Sequence, residues 1–70
     1  MSDTYTTSRQ RLDAIVQSES DRLERDGVII VDPNVIYTIH AKLEIDVKTL
    51  VEPTELARLI RRRIDHLRST

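Results

Sequence analysis

Apolar residues recur at helical spacing near both ends of the chain. Four of them share one face of a first predicted helix: Leu12, Ile15, Val16 and Leu23. Residues Thr7–Gln10 fit a capping box, in which a hydroxyl accepts from a backbone N–H three residues on and a glutamine reaches back. Gly27 supplies the left-handed residue that commonly follows a helix end. The pattern predicts a helix over residues 8–26.

A second helix is predicted near the end of the sequence, opened by Glu52 and Pro53. Proline suits the first helical turn because the N–H that it lacks would have no partner there, and acidic residues favour the positive end of the helix dipole. The apolar stripe of this helix consists of Leu56, Leu59, Ile60, Ile64 and Leu67.

The middle of the chain has the pattern of two strands. Val28–Val31 contains only β-branched residues and predicts a buried strand, followed by a tight turn at Asp32–Asn34. Strict alternation of apolar and polar residues then predicts a second strand from Val35 to Lys48, with one dry and one wet face. The apolar members of the alternation are Ile39, Ala41, Leu43, Ile45 and Val47.

The same stretch also fits a helix, with Asp32 as its cap and Pro33 at its first position. The apolar residues at helical spacing would then be Ile36, Ile39, Leu43, Val47 and Leu50. Such a helix would expose Ile45 and contain many β-branched residues, so we favour the strand.

These elements predict an α+β fold in the order helix, strand, strand, helix, with both helices on one face of a small antiparallel sheet. Residues 1–7 are expected to form a flexible polar arm, and residues 8–70 a single domain. The first strand is too short to pair with the whole of the second, which leaves an unpaired apolar edge. A second copy of the chain is expected to complete the sheet. The predicted dimer interface comprises Ile39, Ala41, Lys42, Leu43, Glu44, Ile45 and Val47.

Composition favours the same expectation of self-association. The chain has 70 residues, with no Phe, Trp or Cys. A core in a chain this short supplies about 3–5 kcal/mol, and the usual remedies are disulfides, metals or oligomerisation. Without cysteine, and with only His40 and His66 to offer imidazole, we expect no metal and no cofactor. Oligomerisation is the remedy that remains.

No sequence feature indicates a membrane protein. The longest apolar run, Val28–Val31, is far shorter than the roughly 20 residues that span a bilayer. The N-terminus has neither the basic nor the apolar region of a signal peptide. We expect a location in the cytoplasm or inside a virion or other assembly.

Glu19 and Arg63 occupy equivalent positions near the middle of the two helical stripes. An unpaired charge there is expensive, so we predict a salt bridge between them, within one chain or between copies, that fixes helix register. In the alternative arrangement, the aliphatic part of Arg63 packs on the core and its guanidinium reaches water. Glu19 then lies at the solvent-exposed end of the apolar stripe of its helix.

The outer face of the last predicted helix carries four arginines, which are candidates for nucleic-acid contact: Arg58, Arg61, Arg62 and Arg68. Arginines on one helix face can bind phosphates. Asp65 interrupts this patch, however, and no aromatic residue is available for base stacking. An ordinary solvated helix face is the alternative.

The sequence contains no catalytic motif. Glu44 and Asp46 would share one strand face, but Lys42 and Lys48 flank them as in an exposed ladder. We therefore expect a small non-enzymatic assembly or interaction protein, such as a phage or bacterial accessory, structural or inhibitor subunit. It would act through self-association and contacts with another protein. The alternative is a dimeric nucleic-acid-binding regulator that uses the arginine-rich helix.

Overall fold

The computed structural model describes residues 3–69, and every regular element within this range is a helix. The four elements are α1 (Asp3–Arg25), α2 (Pro33–Ala41), α3 (Ile45–Lys48) and α4 (Pro53–Arg68). The two long helices, α1 and α4, pack against each other, while α2 packs on α4 and α3 packs on α1. No helix among these residues has the length and apolar content needed to cross a membrane.

The predicted α+β fold is therefore wrong, and the second predicted strand is helical. The Asp32 carboxylate accepts a hydrogen bond from the Asn34 amide at 2.8 Å, and Pro33 begins α2. The helical alternative gave the correct spacing, since Ile36, Ile39, Leu43 and Val47 are buried, although the chain leaves helix after Ala41 and re-enters it at Ile45. Ile45 is 74% exposed, as the helical alternative expected, and a strand with Ile45 on its dry face is excluded.

The first predicted strand, Val28–Val31, is the connection between α1 and α2 and has no strand partner among the described residues. Gly27 ends α1 with a φ of 78°, a conformation that glycine adopts without steric cost. The Gly27 amide donates to the Glu24 carbonyl and the Val28 amide to the Leu23 carbonyl, which closes the helix end. The connection then runs to the cap of α2 at Asp32.

The boundaries of the long helices differ in how well the sequence predicted them. α4 begins at Pro53 with Glu52 as its cap residue, as expected. α1 begins at Asp3, inside the segment predicted as an arm, so Thr7 lies within the helix and does not cap it. Met1 and Ser2 lie outside the described residues.

The core lies where the helices meet. Its principal members are Leu12, Val16 and Leu23 of α1, Ile36 and Ile39 of α2, Val47 of α3, and Leu56, Ile60 and Ile64 of α4. Ser20 is fully buried at the contact between the long helices, where its hydroxyl donates to the Ile60 carbonyl at 3.5 Å. A small side chain at this position lets α1 approach α4 closely. Each large apolar side chain buried here contributes about 1.5–3 kcal/mol.

Candidate functional site

Two adjacent isoleucines project from the connection between α1 and α2, and we call Ile29 and Ile30 the tip. Their exposed fractions are 83% and 82%. The residues on either side point inward, since Val31 is buried and Val28 packs partly against the core. Of the four apolar residues in the connection, Val28 and Val31 therefore pack towards the core, and the two tip isoleucines are in solvent.

Two arginines of α4 hold the backbone on both sides of the tip. The Arg61 guanidinium donates to the Val31 carbonyl at 3.5 Å, and the Arg68 guanidinium donates to the Val28 carbonyl. Arg68 also lies 3.7 Å from the Glu24 carboxylate at the end of α1. Arginines of α4 therefore contact the backbone at each end of the tip, although its own side chains are exposed.

A shallow groove of about 170 Å³ adjoins the tip, between the starts of α2 and α4. The residues that line this groove are Pro33, Ile36, Tyr37, Pro53, Thr54, Ala57 and Arg61. Arg61 belongs both to the groove and to the contact with Val31, so the two features lie on one face of the molecule. Tyr37 is 61% exposed at the groove and adds to its apolar surface.

Charges of both signs lie around this face. Asp26 and Asp32 lie in the sequence on either side of the tip. Beyond the groove, a cleft on α4 shares Thr54 and Arg61 with it. The other residues of that cleft are Arg58, Arg62 and Asp65. The tip thus has acidic residues and two arginines, Arg61 and Arg68, beside it, while the cleft on α4 carries mostly arginines.

The arginine patch predicted for nucleic-acid contact is mostly engaged within the chain. Arg61 and Arg68 bond to the tip backbone, and Arg58 lies 3.4 Å from the Glu55 carboxylate. Arg62 has no hydrogen-bond or ion-pair partner within residues 3–69. Sequence reasoning missed these partners because two of them are main-chain carbonyls, which no side-chain pattern reveals.

The predicted partners Glu19 and Arg63 pair with other residues in the described chain. The Arg22 guanidinium lies 2.5 Å from the Glu19 carboxylate, and this hydrogen bond raises the pKa of Arg22. Arg63 lies 3.8 Å from Asp21, which is the α1 carboxylate that faces it. An acid on α1 does approach Arg63, but the register of the helices brings a different acid than expected.

The strand expected to pair across the predicted dimer interface is absent from residues 3–69, and three of the interface residues belong to the core of the single chain: Ile39, Leu43 and Val47. The other four, Ala41, Lys42, Glu44 and Ile45, are exposed around the break between α2 and α3. Without a strand they do not form the expected edge. Glu44 instead pairs with Arg11 of α1.

A polar link joins α1 to α3 on another side of the molecule. The buried Ser8 hydroxyl donates to the Asp46 carboxylate at 2.7 Å, and Arg11 donates to the same oxygen at 2.9 Å. The Ser8 hydrogen bond, with a smaller effect of the Arg11 charge, lowers the pKa of Asp46. His40 makes a similar tie, since its Nε2 donates to the Val51 carbonyl at 2.8 Å. These groups connect elements of the fold, and residues 3–69 contain no cluster of metal-ligating side chains.

Comparison of the chain with protein-family models, with curated proteins and with solved structures gives no match. The candidate site therefore stands on its geometry. The sequence did contain an indication of the connection that carries the tip. A helix end at Gly27 and a helix start at Asp32–Pro33 leave only four residues between them. That spacing is short for a strand and its two connections.

Proposed function

We propose that this protein is a small assembly protein that acts through self-association, with the tip as its contact surface. One observation carries the proposal: Ile29 and Ile30 are more than four-fifths exposed while α4 holds the backbone on both sides of them. Exposed apolar side chains of this size add nothing to the core. They favour contact with another apolar surface.

The contacts of Arg61 and Arg68 with the backbone beside the tip favour binding for a second reason. A loop that moves freely must be ordered when it binds, and the ordering costs free energy. Here the carbonyls of Val28 and Val31 already bond to α4, so part of that ordering is present before contact. The tip resembles a preorganised anchor more than a solvated loop.

The estimated free energies of burial and of association indicate a reversible association. Four tip isoleucines buried between two copies contribute on the order of 6–12 kcal/mol in total. Loss of translational and rotational freedom costs roughly 4–15 kcal/mol. Because these ranges overlap, we expect a dimer whose population depends on protein concentration. The proposed activity is binding rather than catalysis, as for a structural or accessory subunit.

The test is the absolute mass of the protein, by sedimentation or light scattering, over a wide range of concentration. The wild type should rise from monomer towards dimer as its concentration increases. The double variant Ile29→Ser/Ile30→Ser should stay monomeric and keep its helical circular dichroism, because both side chains are outside the core. Ile45→Ser is the matched control, since Ile45 is also exposed but lies on α3.

Two results would contradict the proposal. One is a wild-type protein that stays monomeric at every concentration. The other is a tip variant that associates as strongly as the wild type, which would place the contact elsewhere on the molecule.

A further inference from the structure

We infer that Arg68 is a positioning residue for the tip and that Glu24 orients it. Arg68 lies in the last turn of α4, and its guanidinium donates to the carbonyl of Val28, the residue before the tip. Glu24, near the end of α1, faces the same guanidinium. This inference rests on the proposed function for its effect on association, whereas its effect on the order of the tip is a property of the single chain.

Both contacts of Arg68 come from one edge of its guanidinium. Nη2 donates to the Val28 carbonyl, and Nε lies 3.7 Å from a carboxylate oxygen of Glu24. The N–H groups of a guanidinium have a fixed planar arrangement, so a contact at one of them restricts the direction of the next. A carboxylate beside Nε therefore favours the orientation in which Nη2 meets the carbonyl.

The backbone of the tip depends on the residues beside it. The backbone groups of Ile29 and Ile30 have no hydrogen-bond partner within residues 3–69. Val28, in contrast, has both of its backbone groups engaged, since its amide donates to the Leu23 carbonyl at 3.1 Å and its carbonyl accepts from Arg68. The conformation of the tip therefore follows from contacts made on either side of it.

The two sides of the tip are held in different ways. On the α2 side, the Val31 side chain is buried, and the contact of Arg61 with the Val31 carbonyl, at 3.5 Å, is longer than a usual hydrogen bond. On the α1 side, Val28 is only partly buried, so its contact with Arg68 matters more. Loss of Arg68 should therefore loosen the tip more than loss of Arg61.

The experiment compares variants of the whole chain at a protein concentration low enough for each to be monomeric. Arg68→Ala removes the guanidinium, Arg68→Lys keeps its charge without its planar edge, and Glu24→Gln removes the facing charge without changing α4. The matched controls are Arg58→Ala and Glu55→Gln, whose ion pair, 3.4 Å long, lies elsewhere on the same helix. NMR relaxation reports the order of each backbone amide, and urea unfolding reports stability.

Arg68→Ala should lower the amide order parameters of Ile29 and Ile30 from the rigid range, about 0.85, to below about 0.6. Glu24→Gln should lower them by a smaller amount, because the Val28 contact is then less well oriented. Arg68→Lys should not restore the wild-type values, because an ammonium lacks the planar edge. The controls should leave the tip unchanged, and the free energy of unfolding should differ little among all the variants, because these ion pairs are partly exposed.

The order of the tip should also change its association. Ordering a loop on binding costs free energy, so the Kd of self-association should rise about tenfold in Arg68→Ala and stay within about twofold of the wild type in the controls. The tip side chains are intact in every variant, so such a change would come from the backbone that carries them.

A tip that is already mobile in the wild type, or one that is equally ordered in wild type and Arg68→Ala, would overturn the inference. If Arg68→Ala also disorders the last turn of α4, Glu24→Gln decides, because it changes no residue of that helix. Wild-type order of the tip in Glu24→Gln would then overturn the inference as well. A tip that loosens as expected in a protein that never associates, wild type included, would support the positioning role and contradict the proposed function.

Discussion

Isoleucine side chains have opposite environments in α4 and in the tip. Ile60 and Ile64 are 0% and 3% exposed, whereas Ile29 and Ile30 lie almost wholly in solvent. The difference comes from the backbone. Successive turns of α4 return residues four apart to the face that meets α1, while the connection between α1 and α2 has no such repeat and turns only its ends inward. The buried side chains of α4 therefore stabilise the fold, whereas the two tip side chains lie outside the core.

The largest expected effect tests that division with one substitution in each region. Ile60→Ala should lower the free energy of unfolding by about 2–5 kcal/mol, because it leaves a cavity at a fully buried position. Ile30→Ala should change it by no more than about 0.5 kcal/mol when measured on the monomer. Urea unfolding at low protein concentration measures both. Similar losses for the two variants would mean that the tip belongs to the core.

A smaller effect should come from the polar link between Ser8 and Asp46, which supports the stable side of the comparison. The pKa of Asp46 is lower in the folded protein than in an unfolded chain, where it is about 3.9. Its contribution to stability is therefore fully present above the unfolded pKa and is lost as pH falls through the folded pKa.

We therefore expect wild type to be more stable than Asp46→Asn at neutral pH, and the difference to shrink as the solution is acidified below about pH 4. Thermal unfolding at a series of pH values measures it. Ser8→Ala should show the same trend in weakened form, since it removes the hydrogen bond that lowers this pKa most. A difference that stays constant with pH would show that the Asp46 charge has no part in the link.

The smallest expected effect concerns nucleic acid, and it tests whether Arg58 and Arg62 in the cleft on α4 bind it. Arg58 and Arg62 make no contact with the tip backbone among the described residues, so Arg58→Glu/Arg62→Glu should leave the fold intact. We expect weak retention on DNA at low salt to be absent or equal in wild type and variant. Salt-sensitive binding by the wild type that this variant abolishes would support the nucleic-acid alternative.

The two long helices could be predicted because their apolar residues follow a single period. The start of α4 at Glu52–Pro53 was also evident, since proline and acidic residues both favour the first turn of a helix. The middle of the chain was predicted wrongly because its apolar residues fit two periods, and burial follows the helical spacing of Ile39, Leu43 and Val47 rather than the alternation. The Asp32 cap gave the correct indication, and the β-branched residues that argued against it are accommodated by burial of Ile36 and Ile39.

The candidate site was harder to predict than the fold. Val28–Val31 reads as a buried strand, and only the structure separates its inward ends from its outward middle. The arginines of α4 were recognised as a group, but the role of Arg61 and Arg68 depends on main-chain carbonyls that lie at least thirty residues away in the sequence. Such contacts follow from the packing of α4 on the rest of the chain.

The most direct test of the central claim is a series of NMR spectra of the unmodified protein recorded at increasing protein concentration. Amide signals of residues 28–32 should shift as the concentration rises, while signals from the solvent face of α1 around Gln17 stay fixed. Shifts confined to another surface, or spectra that do not change with concentration, would contradict the claim that the tip drives self-association.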